Sequence, residues 1–312
     1  MTTKSQHSST ILSFDVGGSH ISAALCDRAE LEILQVASAP LDQRARSSDF
    51  AEVVYLLGNE LMGGVNQPTG AVLAVPGPFD FDAGVSYMQH KLVGLHGADL
   101  RHALAYRFGW TSSQFLFLND AHAFLLGEIT RGAAQRAERA VGIPLGTGIG
   151  SAFAVGGQYV TQGEGVPPGG EIWNLPYGNG IVEDLISTRA IRSDYNERTG
   201  QDREVESIAD ASNADLDARL VFEMFGTHLG QVLRATLATF NPDVVVIGGG
   251  ISRSAHLFLP QAQAQLIGSN MRLVTSALLA NAPLLGGAVY WMNRRLTQHG
   301  GVPHKTGEAA AL

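Results

Sequence analysis

A single cysteine, Cys26, in 312 residues excludes an internal disulfide framework and any cysteine-rich zinc site. Such sparing use fits a reducing compartment. Long apolar runs are also missing. No stretch approaches ~18 uncharged apolar residues, so no membrane span is expected. The opening MTTKSQHSST has no apolar segment before ILSFDVGG, where Asp15 interrupts the apolar run, so no leader is expected either. Charged residues are only 16% and the formal charge is −8, with no basic stripe to suit nucleic acid or an anionic membrane. The 10 histidines never fall into metal-ligand spacing with one another or with Cys26. These absences describe a soluble, cytoplasmic, globular protein. At 45% hydrophobic residues it buries a substantial core, as two domains or one large one.

Glycine is in excess. There are 37, close to 12% of the chain, where ~7% is usual. They cluster behind apolar runs: GG at 17–18, G-x-G-x-G at 146–150, GG at 156–157 and 169–170, GGG at 248–250 and GG at 286–287. ILSFDV and ISAALCD read as strands joined by GGSH, with ILQVASAP as a third. DFAEVVYLLGNELMGGV has helical periodicity. GAVLAVPG and QFLFLND are strands, and AHAFLLGEITRG starts a helix. Residues 138–160 repeat the strand, glycine-turn, strand layout of the opening segment. A helical region spans about 183–240, then PDVVVIGGGIS forms a strand and turn, and LLGGAVYWMNRRL a terminal helix. The fold class is α/β, as two similar halves with a cleft between them. The boundary is placed near residue 118: an N-terminal lobe 1–118, with a helix at about 286–299 packing back on it, a second lobe 119–285 and a tail 300–312.

Three glycine turns are candidates for holding phosphate, because backbone N–H groups approach closely where no Cβ intervenes. In FDVGGSH, Asp15 at a strand end is placed to hold Mg²⁺, directly or through water; the plain alternative is a hairpin whose Asp bonds its own turn. GTGIG offers Thr147, and GGGIS follows a buried strand. Neither has G-x-G-x-x-G spacing, which argues against a dinucleotide fold. In LNDAH, Asp120 follows a buried strand and has two readings of equal standing. It is a general base toward an attacking hydroxyl, with Asn119 orienting that hydroxyl, or it is the N-cap of the next helix. AVPGPFD and GLHGADLRHAL read as ordinary loops, and His122 and His228 as packed or surface histidines in helices. GGEIWNLPYGNGIVEDL sets Glu171, Asn174 and Glu183 among glycines, prolines, a Trp and a Tyr. That composition suits a polyhydroxylated ligand and also suits a surface loop.

Taken in order, DVGGSH, LNDAHAFLLGE, PLGTGIGSAF, GGEIWN…GIVEDLIS and NPDVVVIGGGIS resemble the ROK family of sugar kinases, over about residues 11–295. The resemblance implies a two-lobed, duplicated actin/hexokinase-like ATPase fold and a homodimer. It implies ATP and Mg²⁺ as partners of a hexose, glucose first, phosphorylated on its primary hydroxyl. Asp120 is then the catalytic base, and Asn119, Glu171, Asn174 and Glu183 hold the sugar. Gly17, Gly18, Ser19, Thr147 and Gly148 cradle phosphates, Gly249 and Gly250 lie by the nucleoside, and Asp15 serves Mg²⁺. The chain departs from the family at the sugar loop, usually Glu-x-Gly-His followed by a cysteine-rich zinc knuckle. Trp173 and Asn174 replace Gly and His, and GNGIVED has no cysteine, so no structural zinc is expected. Ser19 and His20 replace the usual Thr-Lys. The alternatives are a kinase of another hexose or an N-acetylhexosamine, and a sugar-binding or regulatory protein that has lost turnover.

Overall fold

The computed structural model describes residues 9–63, 67–89 and 91–298. The N-terminal segment 1–8, the tail 300–312 and the end of the first helix's GGV lie outside the described residues. Two five-stranded sheets carry the molecule. The first holds β1 (Thr10–Val16), β2 (His20–Asp27), β3 (Glu32–Pro40), β4 (Ala71–Val75) and β7 (Phe115–Asn119), in the order β3-β2-β1-β4-β7. A short ribbon, β5 (Phe79–Asp80) with β6 (Val85–Ser86), sits between β4 and β7 in sequence. The second sheet holds β8 (Arg139–Pro144), β9 (Ala152–Val155), β10 (Gln158–Val160), β13 (Val244–Gly248) and β14 (Arg272–Thr275), in the order β10-β9-β8-β13-β14. In each sheet an antiparallel meander is followed by a strand parallel to its first strand, then by another parallel strand. The repeat noticed as a layout in sequence is therefore a repeat of topology.

The inner strands explain themselves. AVLAV of β4 and VVVIG of β13 are buried at every position, as a strand covered on both faces must be. Each sheet ends in a helix that occupies the same topological place: α3 (Asp120–Arg131) after β7 and α9 (Asn281–Gln298) after β14. These two helices pack on each other, and α9 also lies against β1 and β4 of the first sheet. Small residues permit this closeness. A Cβ on Gly286 would collide with the carbonyl of Ala123, and one on Gly127 with that of Ala282. The buried carboxylate of Glu128 reinforces the join by accepting from Ser276 Oγ and from the amides of Ala133 at 2.7 Å and Leu278 at 3.1 Å.

Three expectations change. The terminal helix starts at Asn281, five residues before the GG at which it was placed. GLHGADLRHAL is not all loop: α2 (Leu100–Phe108) starts within it, capped by Asp99, whose carboxylate accepts from His102 N at 2.8 Å, and ended by Gly109. Only Leu100, Leu104 and Ala105 of α2 are buried, which leaves too faint an apolar stripe to read. The 183–240 region is four helices: α4 (Val182–Leu185), α5 (Thr188–Thr199), α6 (Val205–Ala211) and α7 (Leu216–Leu237). Ser187 and Asp215 cap α5 and α7, and Gly200 closes α5. The remaining helices are α1 (Ser47–Met62) and α8 (Ala255–Gln265).

Candidate active site

Asn119 and Asp120 sit where β7 becomes α3, and the backbone assigns them different tasks. Asn119 is the extended cap residue, and its side-chain oxygen accepts from Ala121 N at 2.9 Å and His122 N at 3.3 Å. Asp120 is the first residue of the helix, and one of its oxygens also accepts from Ala121 N, at 2.9 Å. The cap reading therefore belongs to Asn119. The other oxygen of Asp120 is left for a ligand, while Asn119 keeps its amide N–H₂ to donate.

Asp120 is half-buried among charges of both signs. Loss of water pushes its carboxyl above the ordinary carboxylate range, nearby Lys91 pulls it down, and the Glu171 charge pushes it up. Asp15, at the end of β1, is pushed up to about 7 by burial and then by the charge of Asp120. No hydrogen bond within the described residues satisfies the Asp15 side chain. Two neighbouring carboxylates, that of Asp15 without a hydrogen-bond partner among the described residues, fit a divalent cation, since oxygen ligands suit Mg²⁺. Lys91 was not singled out in sequence, although a signal existed. The chain has three lysines, Lys4, Lys91 and Lys305, and Lys91 alone lies within the described residues.

The glycine turns fall at the strand ends. Gly17, Gly18 and Ser19 link β1 to β2, with Gly17 N donating to His20 O at 2.9 Å; a Cβ on Gly18 would meet open space. The turns after β8 and β13 are joined, because Leu145 N donates to Gly248 O at 2.8 Å and Ile251 N to Leu145 O at 3.2 Å. That brings Thr147 and Gly148 to the same end of the second sheet as Gly249 and Gly250. A cavity of about 460 Å³ opens beside Thr147 along α5, lined by Thr188, Arg189, Arg192 and Asn196 among others. Both arginines are already paired: Arg189 with Asp184 at 2.9 Å, and Arg192 with Asp202 and Glu204 at 2.8 Å each. The Thr147 hydroxyl and the Asn196 amide have no side-chain partner among the described residues.

The GGEIWN segment is delivered by Gly169 and Gly170, whose φ of 69° and 74° disfavour any residue with a Cβ. The root of the loop is fixed by Ser151, which donates to Gly170 O at 2.7 Å and accepts from Ile172 N at 3.0 Å. Glu171 lies near enough to Asp120 to perturb it. Glu183 reaches the second glycine turn, where its carboxylate accepts from Ile149 N at 3.3 Å and fills the space a Cβ on Gly148 would need. Asn174 is exposed, and among the described residues its side chain makes no hydrogen bond to the other named residues. The far end of the loop, β11 (Pro176–Tyr177) and β12 (Gly180–Ile181), is tied to α7: Tyr177 donates to Gln231 Oε1 at 2.8 Å and lies 2.9 Å from His228 Nδ1. His228 is therefore a loop anchor. His122 is packed on Tyr159, ring centroids 4.7 Å apart, and burial pushes it down to about 4. Cys26 is buried in β2, within the first sheet.

The chain belongs to the ROK family, whose model matches residues 11–294. The glucokinase of Thermotoga maritima is 24% identical over 309 residues, covering 89% of this chain and 96% of that protein. The N-acetyl-D-glucosamine kinase of Yersinia enterocolitica is 25% identical over 264 residues, 78% of this chain and 85% of its own. The crystal structure of a ROK family glucokinase from Streptomyces griseus, in complex with glucose and AMPPNP, superposes with a TM-score of 0.76 at 20% identity, over 90% of this chain and 98% of that one. The two sheets are accordingly the two lobes of an actin-like fold.

Proposed function

We propose that the protein is an ATP-dependent sugar kinase that transfers the γ-phosphoryl group to a hexose hydroxyl, with the 6-hydroxyl of glucose as the first acceptor to test. The observation that carries this reading is the division of labour at the head of α3. Asn119 caps the helix, so Asp120 has an oxygen free and stands electrostatically close to Glu171 across the cleft. Asp120 accepts the hydroxyl proton as the sugar oxygen bonds to the γ-phosphorus, the bond to the β-phosphate oxygen breaks, and ADP leaves. The Asn119 amide, Glu171, Asn174 and Glu183 orient the sugar. Gly17, Gly18, Ser19, Thr147 and Gly148 take the phosphates. Asp15 would hold Mg²⁺, directly or through water, which when bound neutralises phosphate charge.

The cavity along α5, beside Thr147, takes the nucleoside, with Gly249 and Gly250 at the same end of the second sheet. Its arginines are paired and its free groups, the Thr147 hydroxyl and Asn196 amide, are neutral. That supports a nucleotide donor over inorganic polyphosphate, which needs uncommitted cations. Closure of the lobes 1–118 and 119–285 about α3 and α9 excludes water from the transfer. The cytoplasmic homodimer that the family implies is part of the same proposal. Kinship to an N-acetyl-D-glucosamine kinase keeps the N-acetylhexosamines as the second acceptor class. The deciding experiment is coupled ADP release with Mg-ATP over a panel of hexoses and N-acetylhexosamines. Turnover with one sugar names the substrate. No turnover, with sugar binding still seen by calorimetry, moves a non-catalytic, regulatory role ahead.

A further inference from the structure

Trp173 is one of three tryptophans and is placed unlike the other two. Trp291 is fully buried and Trp110 packs at a tilt against Phe108 and Phe115, but Trp173 is 39% exposed. It belongs to none of the buried hydrophobic clusters. What it has is hydrogen bonding. Its Nε1–H donates to Glu171 Oε2 at 2.9 Å, and its main-chain carbonyl accepts from Glu183 N at 3.0 Å. One residue thus touches both carboxylate-bearing residues assigned to the sugar.

The local backbone explains the arrangement. Glu171 is extended, with φ −102° and ψ 129°, so side chains at 171 and 173 point to the same side and that of 172 to the other. Ile172 is fully buried while Glu171 and Trp173 are exposed, which is that alternation realised. The indole N–H therefore meets the carboxylate two residues before it. A carboxylate with both oxygens free accepts from two hydroxyls and swings to suit either. With the indole N–H on Oε2, Glu171 is held in one orientation, with Oε1 and the second lone pair of Oε2 left to accept from the sugar.

We propose that Trp173 is the positioning residue that fixes how Glu171 and Glu183 grip the sugar and so sets the choice among epimeric hexoses. This rests on the sugar-kinase reading above. Trp173 is not a catalytic residue; it acts through the Glu171 carboxylate, which its indole holds, and through the Glu183 main chain, which its carbonyl holds.

The test compares the protein with Trp173→Phe, which keeps a ring and removes the N–H. The expected result is a sugar KM raised about tenfold, as for the loss of one hydrogen bond to a charged group. The kcat, the KM for ATP and the Tm should hold, and the kcat/KM contrast between the preferred sugar and its epimers should narrow. Sugar should also change tryptophan emission in the parent and leave it unchanged in the variant. A sugar KM and epimer contrast equal to the parent's would overturn the proposal. So would equal losses in sugar and ATP KM together with a lowered Tm, which would make Trp173 structural. If the parent turns over no sugar, the kinase reading fails by itself, and the Trp173 assignment is judged on sugar affinity by calorimetry. Weaker binding by the variant supports it; equal binding, or no binding by the parent, overturns it.

Discussion

The carboxyl of Asp15, at the end of β1, is held up near 7 by its burial and by the charge of Asp120, which follows the end of β7 two strands away in the same sheet. In β-sheet register Asp15 stands beside Ala74, and Ala74 beside Leu118, so the two acids occupy the same rim. The sign of the linkage is fixed by that shift. Between the ordinary value of 3.8 and about 7 the folded protein holds a proton that the unfolded chain has released. Stability from this group is therefore full below 3.8 and falls as pH rises through about 7. Asp15→Asn should raise the Tm of the ligand-free protein at pH 8 and raise it less at pH 5. Mg²⁺ should stabilise the parent more than the variant. An equal Tm gain at both pH values would refute the electrostatic account.

Asp120→Asn should lower turnover by at least ~10²-fold, the contribution of a general base, while sugar affinity stays within a few-fold. Because Asp120 titrates above an ordinary carboxylate, kcat/KM should fall at a correspondingly higher pH on the acid side. Lys91 opposes that rise, so Lys91→Met should move the acid limb to still higher pH. A pH–rate profile of the two proteins checks the direction. A limb that stays in place would remove Lys91 from the electrostatics of the site.

Much of the framework that carries the candidate site is legible in the sequence. Buried runs such as VVVI end in glycine turns, and an Asp at a strand end with glycine after it has few placements. Other features were not legible, for identifiable reasons. Asn119 and Asp120 are adjacent and equally good caps, and only the backbone, extended at Asn119 with φ −65° and ψ 140°, separates cap from base. The breaks within 183–240 rest on Ser187, Gly200 and Asp215 in a segment of nearly continuous helix formers. Lys91 reaches Asp120 across 29 residues of chain, and no local pattern records such a pairing. From sequence alone Trp173 is legible only as a replacement for Gly in the sugar loop; its hydrogen bonds to the Glu171 carboxylate and the Glu183 amide depend on the course of the loop backbone.

The loop that carries these carboxylates is clamped by Tyr177. Its hydroxyl proton goes to Gln231 Oε1, so His228 supplies the N–H from Nδ1, and burial, which lowers the His228 pKa, keeps that ring neutral at neutral pH. Tyr177→Phe leaves both α7 partners unmatched and should destabilise by about 1 kcal/mol, with a several-fold rise in sugar KM. Chelator treatment without nucleotide should leave the Tm unchanged, and metal analysis should find no stoichiometric zinc. A Tm that drops on chelation would show that metal, and not the Tyr177 clamp, orders residues 171–184.

Helix α3, which Asp120 heads, is also only as well placed as its partner allows. Gly286 of α9 lies so close to Ala123 of α3 that a methyl group would strike the Ala123 carbonyl, one turn from Asp120. Gly286→Ala must push the helices apart, and an overpacked core costs about 1–3 kcal/mol or more. Since α3 begins at Asp120 and Glu128 binds it to the turn before α9, the displacement is carried to Asp120. The expected variant has a lowered Tm and a kcat reduced beyond what its folded fraction explains, with sugar affinity less affected. Active-site titration against Tm separates the two effects. A kcat per folded molecule equal to the parent's would mean that α3 tolerates the shift, and that the α3–α9 join serves stability alone.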